Sequence, residues 1–253
     1  MEPKLLLERL DSIARSLEGS RHALALIALG SVGRALERLD AYSDLDFFVV
    51  VEAGHKRAYL DDLGWLERVH PVAFAFANTV DGYKLLFADG ILCEMAVFEM
   101  EELPAIPYAP GRIVWKQPHV PDSISVPAVA PSVPTRRDAG WLLGEALTNL
   151  LVGVMRERRG EKLSAARFIQ GYAVDRVVEL AQEIEPARGK PGDAFARERR
   201  FEQRDPGIAR HMGEFVQGYD RNRESALAIL AFLEQHFAVN AAVAGAIRSY
   251  CES

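Results

Sequence analysis

The sequence predicts an α+β protein in which a sheet-bearing amino-terminal part precedes a helical bundle. Three observations carry that expectation. Short apolar runs separated by polar turns dominate the first hundred residues, eight of the thirteen prolines crowd into residues 104–134, and apolar positions recur at helical spacing from there to the end. A proline-dense stretch suits neither a helix interior nor a central strand. The boundary is therefore placed there: a sheet domain over residues 1–110, a connection over 111–134 and a helical bundle over 135–253.

Taken in order, Leu6, Leu10, Ile13 and Leu17 share one face of a helix over residues 3–18, with Gly19 as its C-cap. Residues 23–29 form an unbroken apolar run, the pattern of a buried strand. Residues 32–38 read as a short helix, and Phe47 to Val51 continue a second strand. A helix is expected over 55–69, then strands over 71–77, 82–88 and 91–98. In the bundle, Thr135 and Asp138 resemble a capping box ahead of a helix carrying Trp141, Leu142, Leu147, Leu150, Leu151 and Val154. Arg158-Arg159-Gly160 ends it. Further helices are expected over 165–180, 208–236 and 239–250, with a Pro/Gly-rich loop over 185–193.

Composition narrows the function. Hydrophobic residues make up 49% and charged residues 26%, the balance of an ordinary globular protein. Cys93 and Cys251 provide no disulfide framework, which points to a reducing cytoplasm, and Cys93 reads as a packing residue. No secretory leader is expected from the first residues, and no apolar run reaches the eighteen or so residues of a membrane span. A net charge of −6 offers no general field for a long nucleic acid and favours a small acceptor.

The chemistry concentrates in residues 28–51. Asp44 and Asp46 alternate along an extended segment, so both project to one face. Two adjacent carboxylates repel unless a cation neutralises them, and hard oxygen donors suit Mg²⁺. Gly30-Ser31 lies between a strand and a helical pattern, where exposed amides suit phosphate. Within ILCEMAVF, Glu94 shares a strand face with Leu92, Ala96 and Phe98. A carboxylate there must be paired, hydrogen-bonded or metal-bound; the readings are a third metal ligand and a Glu paired with a neighbouring Lys or Arg.

Leu29-Gly30-Ser31, a spacer of twelve residues (32–43) and Asp44-Leu45-Asp46-Phe47 together resemble the signature of the polymerase-beta-like nucleotidyltransferase superfamily. With the Glu94 strand, the helix over 141–153 and the Arg159-Gly160-Glu161 turn, the whole chain looks most like the lincosamide and aminoglycoside antibiotic nucleotidyltransferases. That resemblance implies a mixed sheet and Mg²⁺ held by the catalytic and metal residues Asp44, Asp46 and Glu94. It implies further a nucleoside triphosphate, ATP by expectation, gripped by Gly30, Ser31, Arg34 and Ser43. Transfer of a nucleoside monophosphate to a hydroxyl of a small acceptor, an antibiotic among the candidates, and a homodimer follow from the same likeness. Two positions depart from the family pattern: Ala35 follows Arg34 where related loops have glycine, and the third acid is Glu where many members have Asp.

Alternatives remain open: modification of protein or RNA in the manner of toxin–antitoxin nucleotidyltransferases, or a catalytically silent nucleotide-binding module. The general base is Glu94 or Glu145, the latter also readable as the polar face of its helix. Arg197, Arg199, Arg200 and Arg204 read as a solvated charged run. Arg204 and His211 have a ribonuclease-like spacing, discounted because Pro206-Gly207 interrupts the helix; His22, His55, His70, His119 and His236 show no metal-ligand spacing.

Overall fold

In the computed structural model, residues 2–129, 137–185 and 198–252 are described. Thr135, Pro131, Pro134, Arg197 and most of the loop expected over 185–193 lie outside them. The chain divides into two compact units, Met1–Ser132 and Val133–Ser253.

The first unit is built on a six-stranded mixed sheet in the order β3-β4-β5-β2-β1-β6. Its strands are β1 (Ala23–Ala28), β2 (Leu45–Val51), β3 (Val72–Ala77), β4 (Gly82–Phe87), β5 (Leu92–Glu99) and β6 (Arg112–Lys116). β2 and β5 pair in parallel, and every other pairing is antiparallel. The central strands are the apolar runs because both of their faces are covered. On one face lies α1 (Pro3–Glu18), whose Leu6, Leu10, Ile13 and Leu17 pack with Leu45, Phe47, Val49, Cys93, Met95 and Val97. On the other, Leu24, Ile27, Val50, Phe98, Leu103, Val120 and Ile124 form a second cluster.

Two expectations change here. Residues 112–116, read as part of a connection, form edge strand β6 against β1; Pro110 and Pro118 flank the strand and leave its amides intact. The helix expected over 55–69 is two short ones, α2 (Lys56–Asp61) and α3 (Gly64–Glu67), separated where the Asp62 carboxylate accepts the Gly64 amide. Gly19 does cap α1, but in right-handed conformation.

In the second unit, α4 (Ala139–Arg158) carries its cap on Asp138, whose carboxylate accepts the Trp141 amide at 2.9 Å. Gly160, at φ +78°, turns the chain into α5 (Lys162–Ala166). A π-helical turn, Arg167–Ala173, continues into α6 (Val174–Ile184). α7 (Phe201–Arg204) comes next, and the long helix expected over 208–236 breaks into the end of α8 (Pro206–Ala209), α9 (Met212–Phe215) and α10 (Asn222–His236). Pro206 opens α8, and Gly218, at φ +99°, cannot continue a right-handed helix into α10. α11 (Ala241–Glu252) closes the chain. Asn222, 1% exposed, ties this unit together: its amide donates to Glu157, Lys162 O and Tyr219 O and accepts from Gln170. Among the described helices, none is long and apolar enough to cross a membrane.

Candidate active site

Asp46 lies in β2, and Asp44 precedes the strand by one residue; both are half-buried, while Leu45 and Phe47 between and beyond them point into the α1-covered core. Strand alternation thus puts the two aspartates on the opposite sheet face. Asp46 pairs in register with Glu94 on parallel β5, so the two Cα atoms stand side by side. Further along that face Phe48 and Phe98 meet edge to face at 4.9 Å, an apolar floor beyond the acids.

The Gly-Ser turn sits directly against this pair. The Leu29 amide donates to Asp46 O at 2.7 Å, and Gly30 takes φ +55°. A Cβ on Gly30 would lie 3.0 Å from Asp46 Oδ2, so a side chain there would crowd the carboxylate. The single helix expected after the turn is instead two 3-10 turns, Gly30–Val32 and Leu36–Arg38. Gly33 explains the break: the chain doubles back so tightly that a Cβ there would fall 2.7 Å from Ala28 O. A macrodipole from three residues is negligible, so any anion cradle comes from the turn amides of residues 30–32, which open a helical turn without intrahelical acceptors.

Edge strand β6 fixes this turn from outside. Arg112 donates to Val32 O at 2.9 Å through Nη2, and Arg34 Nε donates to Gly111 O at 2.8 Å. Gly111 itself has no room for a side chain, since a Cβ would clash with Ile27 Cγ2. Ser43 caps a turn with Asp40, accepting its amide at 3.0 Å and donating to its carboxylate at 3.3 Å.

Glu94 reaches the right strand position but is held by other partners. Lys84, its cross-strand neighbour on β4, lies 3.2 Å from Oε2, and the Asn78 amide donates to Oε1 at 3.0 Å. The three acids therefore do not gather their oxygens within 4.8 Å of one another; among the described residues, that closeness is met by His22, Glu52 and His55. Electrostatics still register the aspartates. Burial pushes the Cys93 thiol far up, the Arg9 charge opposes this, and the negative charges of Asp44 and Asp46 add to the rise. Cys93 is accordingly an inert, fully buried thiol.

Elsewhere, Glu145 is half-buried on α4. Arg204 pairs with Asp205 at 3.0 Å, and His211 stacks on Phe215, so the Arg204–His211 spacing builds packing rather than a nuclease centre. Sequence reading missed Lys84, Asn78, Arg112 and Gly33. Lys84 had one legible signal: it is the lone charge in the apolar run of β4.

No family model and no curated protein matches the chain. Among solved structures, an aminoglycoside 6-adenyltransferase from Bacillus subtilis aligns over 98% of this chain and 91% of its own, at 13% identity and a TM-score of 0.33. The Bradyrhizobium diazoefficiens CD-NTase CdnG, solved in complex with GTP, aligns over 100% and 87%, at 12% identity and a TM-score of 0.30. Both are too distant to carry weight, and the site is read from its own geometry.

Proposed function

We propose that the protein is a Mg²⁺-dependent nucleotidyltransferase that moves a nucleoside monophosphate, AMP from ATP, onto a hydroxyl of a small acceptor, with an aminoglycoside or lincosamide antibiotic as the first class to try. One observation carries the reading: Asp46 stands in register beside Glu94 at the end of two parallel strands, with the left-handed Gly30 turn pressed against its carboxylate. The donor set is all hard oxygen, which fits Mg²⁺. Asp44, Asp46 and Glu94 would hold the ion, and when bound it supplies charge neutralisation at the polyphosphate.

The remaining work belongs to the chain. The amides of residues 30–32 and the Ser31 hydroxyl bind the terminal phosphates, and the free end of the Arg34 guanidinium adds charge. Lys84 and Asn78 fix the position of the Glu94 carboxylate. The acceptor oxygen then bonds to the α-phosphorus, the α–β phosphoanhydride bond breaks, pyrophosphate leaves, and the acceptor proton passes to the Glu94 carboxylate. Position and charge neutralisation account for most of the acceleration in such transfers.

The test is pyrophosphate release from ATP with Mg²⁺ across a panel of hydroxylated acceptors, comparing the native chain with Asp46→Asn. Full activity in the variant would overturn the metal assignment. Label from ATP appearing on protein or RNA in a lysate would redirect the acceptor. Nucleotide binding without release on any acceptor would leave a silent nucleotide-binding module.

A further inference from the structure

The opposite end of the β1–β2 pair carries a different donor set. His22 immediately precedes β1 and Glu52 immediately follows β2, next to the paired residues Ala23 and Val51. The Glu52 amide donates to His22 O at 3.0 Å, so the antiparallel ladder itself brings these two side chains together. Gly54, at φ +78°, then reverses the chain, its amide held by Glu99 Oε1 at 2.8 Å, and the His55 amide returns to Glu52 O at 3.1 Å. The result is two imidazoles stacked face to face, centroids 3.5 Å apart and 8° from parallel, with His22 Nδ1 2.7 Å from Glu52 Oε2. One donor atom from each of the three residues lies within 4.8 Å of the others.

We propose that His22, Glu52 and His55 form a binding site for one divalent transition-metal cation of the zinc class, separate from the aspartate site. Two imidazoles and a carboxylate are the donors that zinc prefers, whereas Mg²⁺ selects oxygen. Donors bound at 2.0–2.1 Å in a tetrahedron stand about 3.3 Å apart, a modest contraction from the 4.8 Å within which the three donor atoms already lie. A shared cation can lie in the plane of neither ring while they are parallel, so loading tilts one imidazole out of the stack. Both rings are half-buried, which leaves them that freedom.

The backbone is fixed by strand register and by the Gly54 turn, so the donors are gathered before the ion arrives. His119, exposed in the turn after β6, is close enough for its charge to act on Glu52, and water completes the coordination. The eight residues from His22 to Gly30 span roughly 25 Å of extended chain, too far for this ion to touch the aspartates. The site is therefore a clip across β1, β2 and the start of α2, and its ion plays no part in transfer.

The experiment titrates ZnCl₂ alone into the metal-stripped full chain by calorimetry, with Co²⁺ as a spectroscopic substitute. Expected are one zinc per chain, visible cobalt bands of a tetrahedral site, a melting temperature that rises with zinc, and no displacement by excess Mg²⁺. The His22→Ala/His55→Ala double variant should lose at least 100-fold in affinity with an unchanged circular dichroism spectrum. Glu52→Gln, a milder change, should lose 10–100-fold. Absence of stoichiometric zinc in the native chain, or native affinity in the double variant, would overturn the proposal. Neither result bears on the aspartate site, which is read by pyrophosphate release.

Discussion

The two ends of the β1–β2 pair are built by one ladder and differ in almost every chemical respect. At one end Gly30 turns tightly against Asp46 and the side chains offered are carboxylates; at the other Gly54 turns in open space and the side chains are two imidazoles and one carboxylate. Both glycines take the left-handed conformation, at φ +55° and +78°. Only the first is also crowded, with 3.0 Å between its missing Cβ and a carboxylate oxygen, while nothing lies within 4 Å of the second. A glycine can thus be required by backbone conformation alone, or by conformation together with a functional group that must approach the main chain.

Removing a carboxylate has the largest expected effect. Asp46→Asn should lower transfer by about 10³-fold, equivalent to about 4 kcal/mol of barrier, while zinc affinity at the far end stays within twofold. Pyrophosphate release and zinc calorimetry on the same sample check both halves.

Next comes a change that strikes the sheet without preferring either end. Arg9 is 6% exposed, stacks over Phe87 and pairs with Asp89 at 2.5 Å. Asp89→Asn leaves that cation buried with a neutral partner, and because Asp89 is itself a quarter exposed the cost should be about 2–3 kcal/mol by urea titration. Burial raises the Asp89 carboxyl, but the hydrogen bond and charge from Arg9, with help from His70, bring it below its ordinary value. A depressed carboxyl stabilises the fold at all pH values above its unfolded pKa. The contribution fades only as pH falls through the lowered value, so the gap between native and variant should persist down to the unfolded carboxyl pKa and close in stronger acid.

The glycines sharpen the contrast directly. Gly54→Ala pays left-handed strain alone and should destabilise by about 1 kcal/mol. Gly30→Ala adds displacement of the Asp46 carboxylate, so it should cost about 1–2 kcal/mol and also lower transfer by roughly 10- to 100-fold. If both variants lowered transfer equally, the crowding argument would fail. The smallest effect belongs to the double histidine variant in the absence of zinc, with transfer unchanged and stability altered by no more than about 0.5 kcal/mol.

The alternation around Leu45 and Phe47, the face occupied by Glu94 and the apolar stripe of α1 were all legible because each is a local periodicity. So was the shift from strand to helix patterns beyond the prolines. Strand β6 was hidden because proline density argued against a strand, and only its neighbour β1 could show that the prolines flank the ladder. The long helix over 208–236 failed because periodicity persists across Gly218, whereas backbone sign does not. The histidine cluster left no trace in the sequence: thirty residues separate His22 from Glu52, and no ligand spacing connects them.

By itself the sequence determined which residues are apolar, where backbone freedom is needed, and that Asp44 and Asp46 face one way, since these follow from side-chain chemistry and a period of two. Tertiary structure alone decided what stands beside them: that Glu94 shares their register yet rests on Lys84 and Asn78, and that His22 meets Glu52 and His55. Strand pairing joins residues far apart along the chain, and the partner a strand selects is a property of the whole packed sheet.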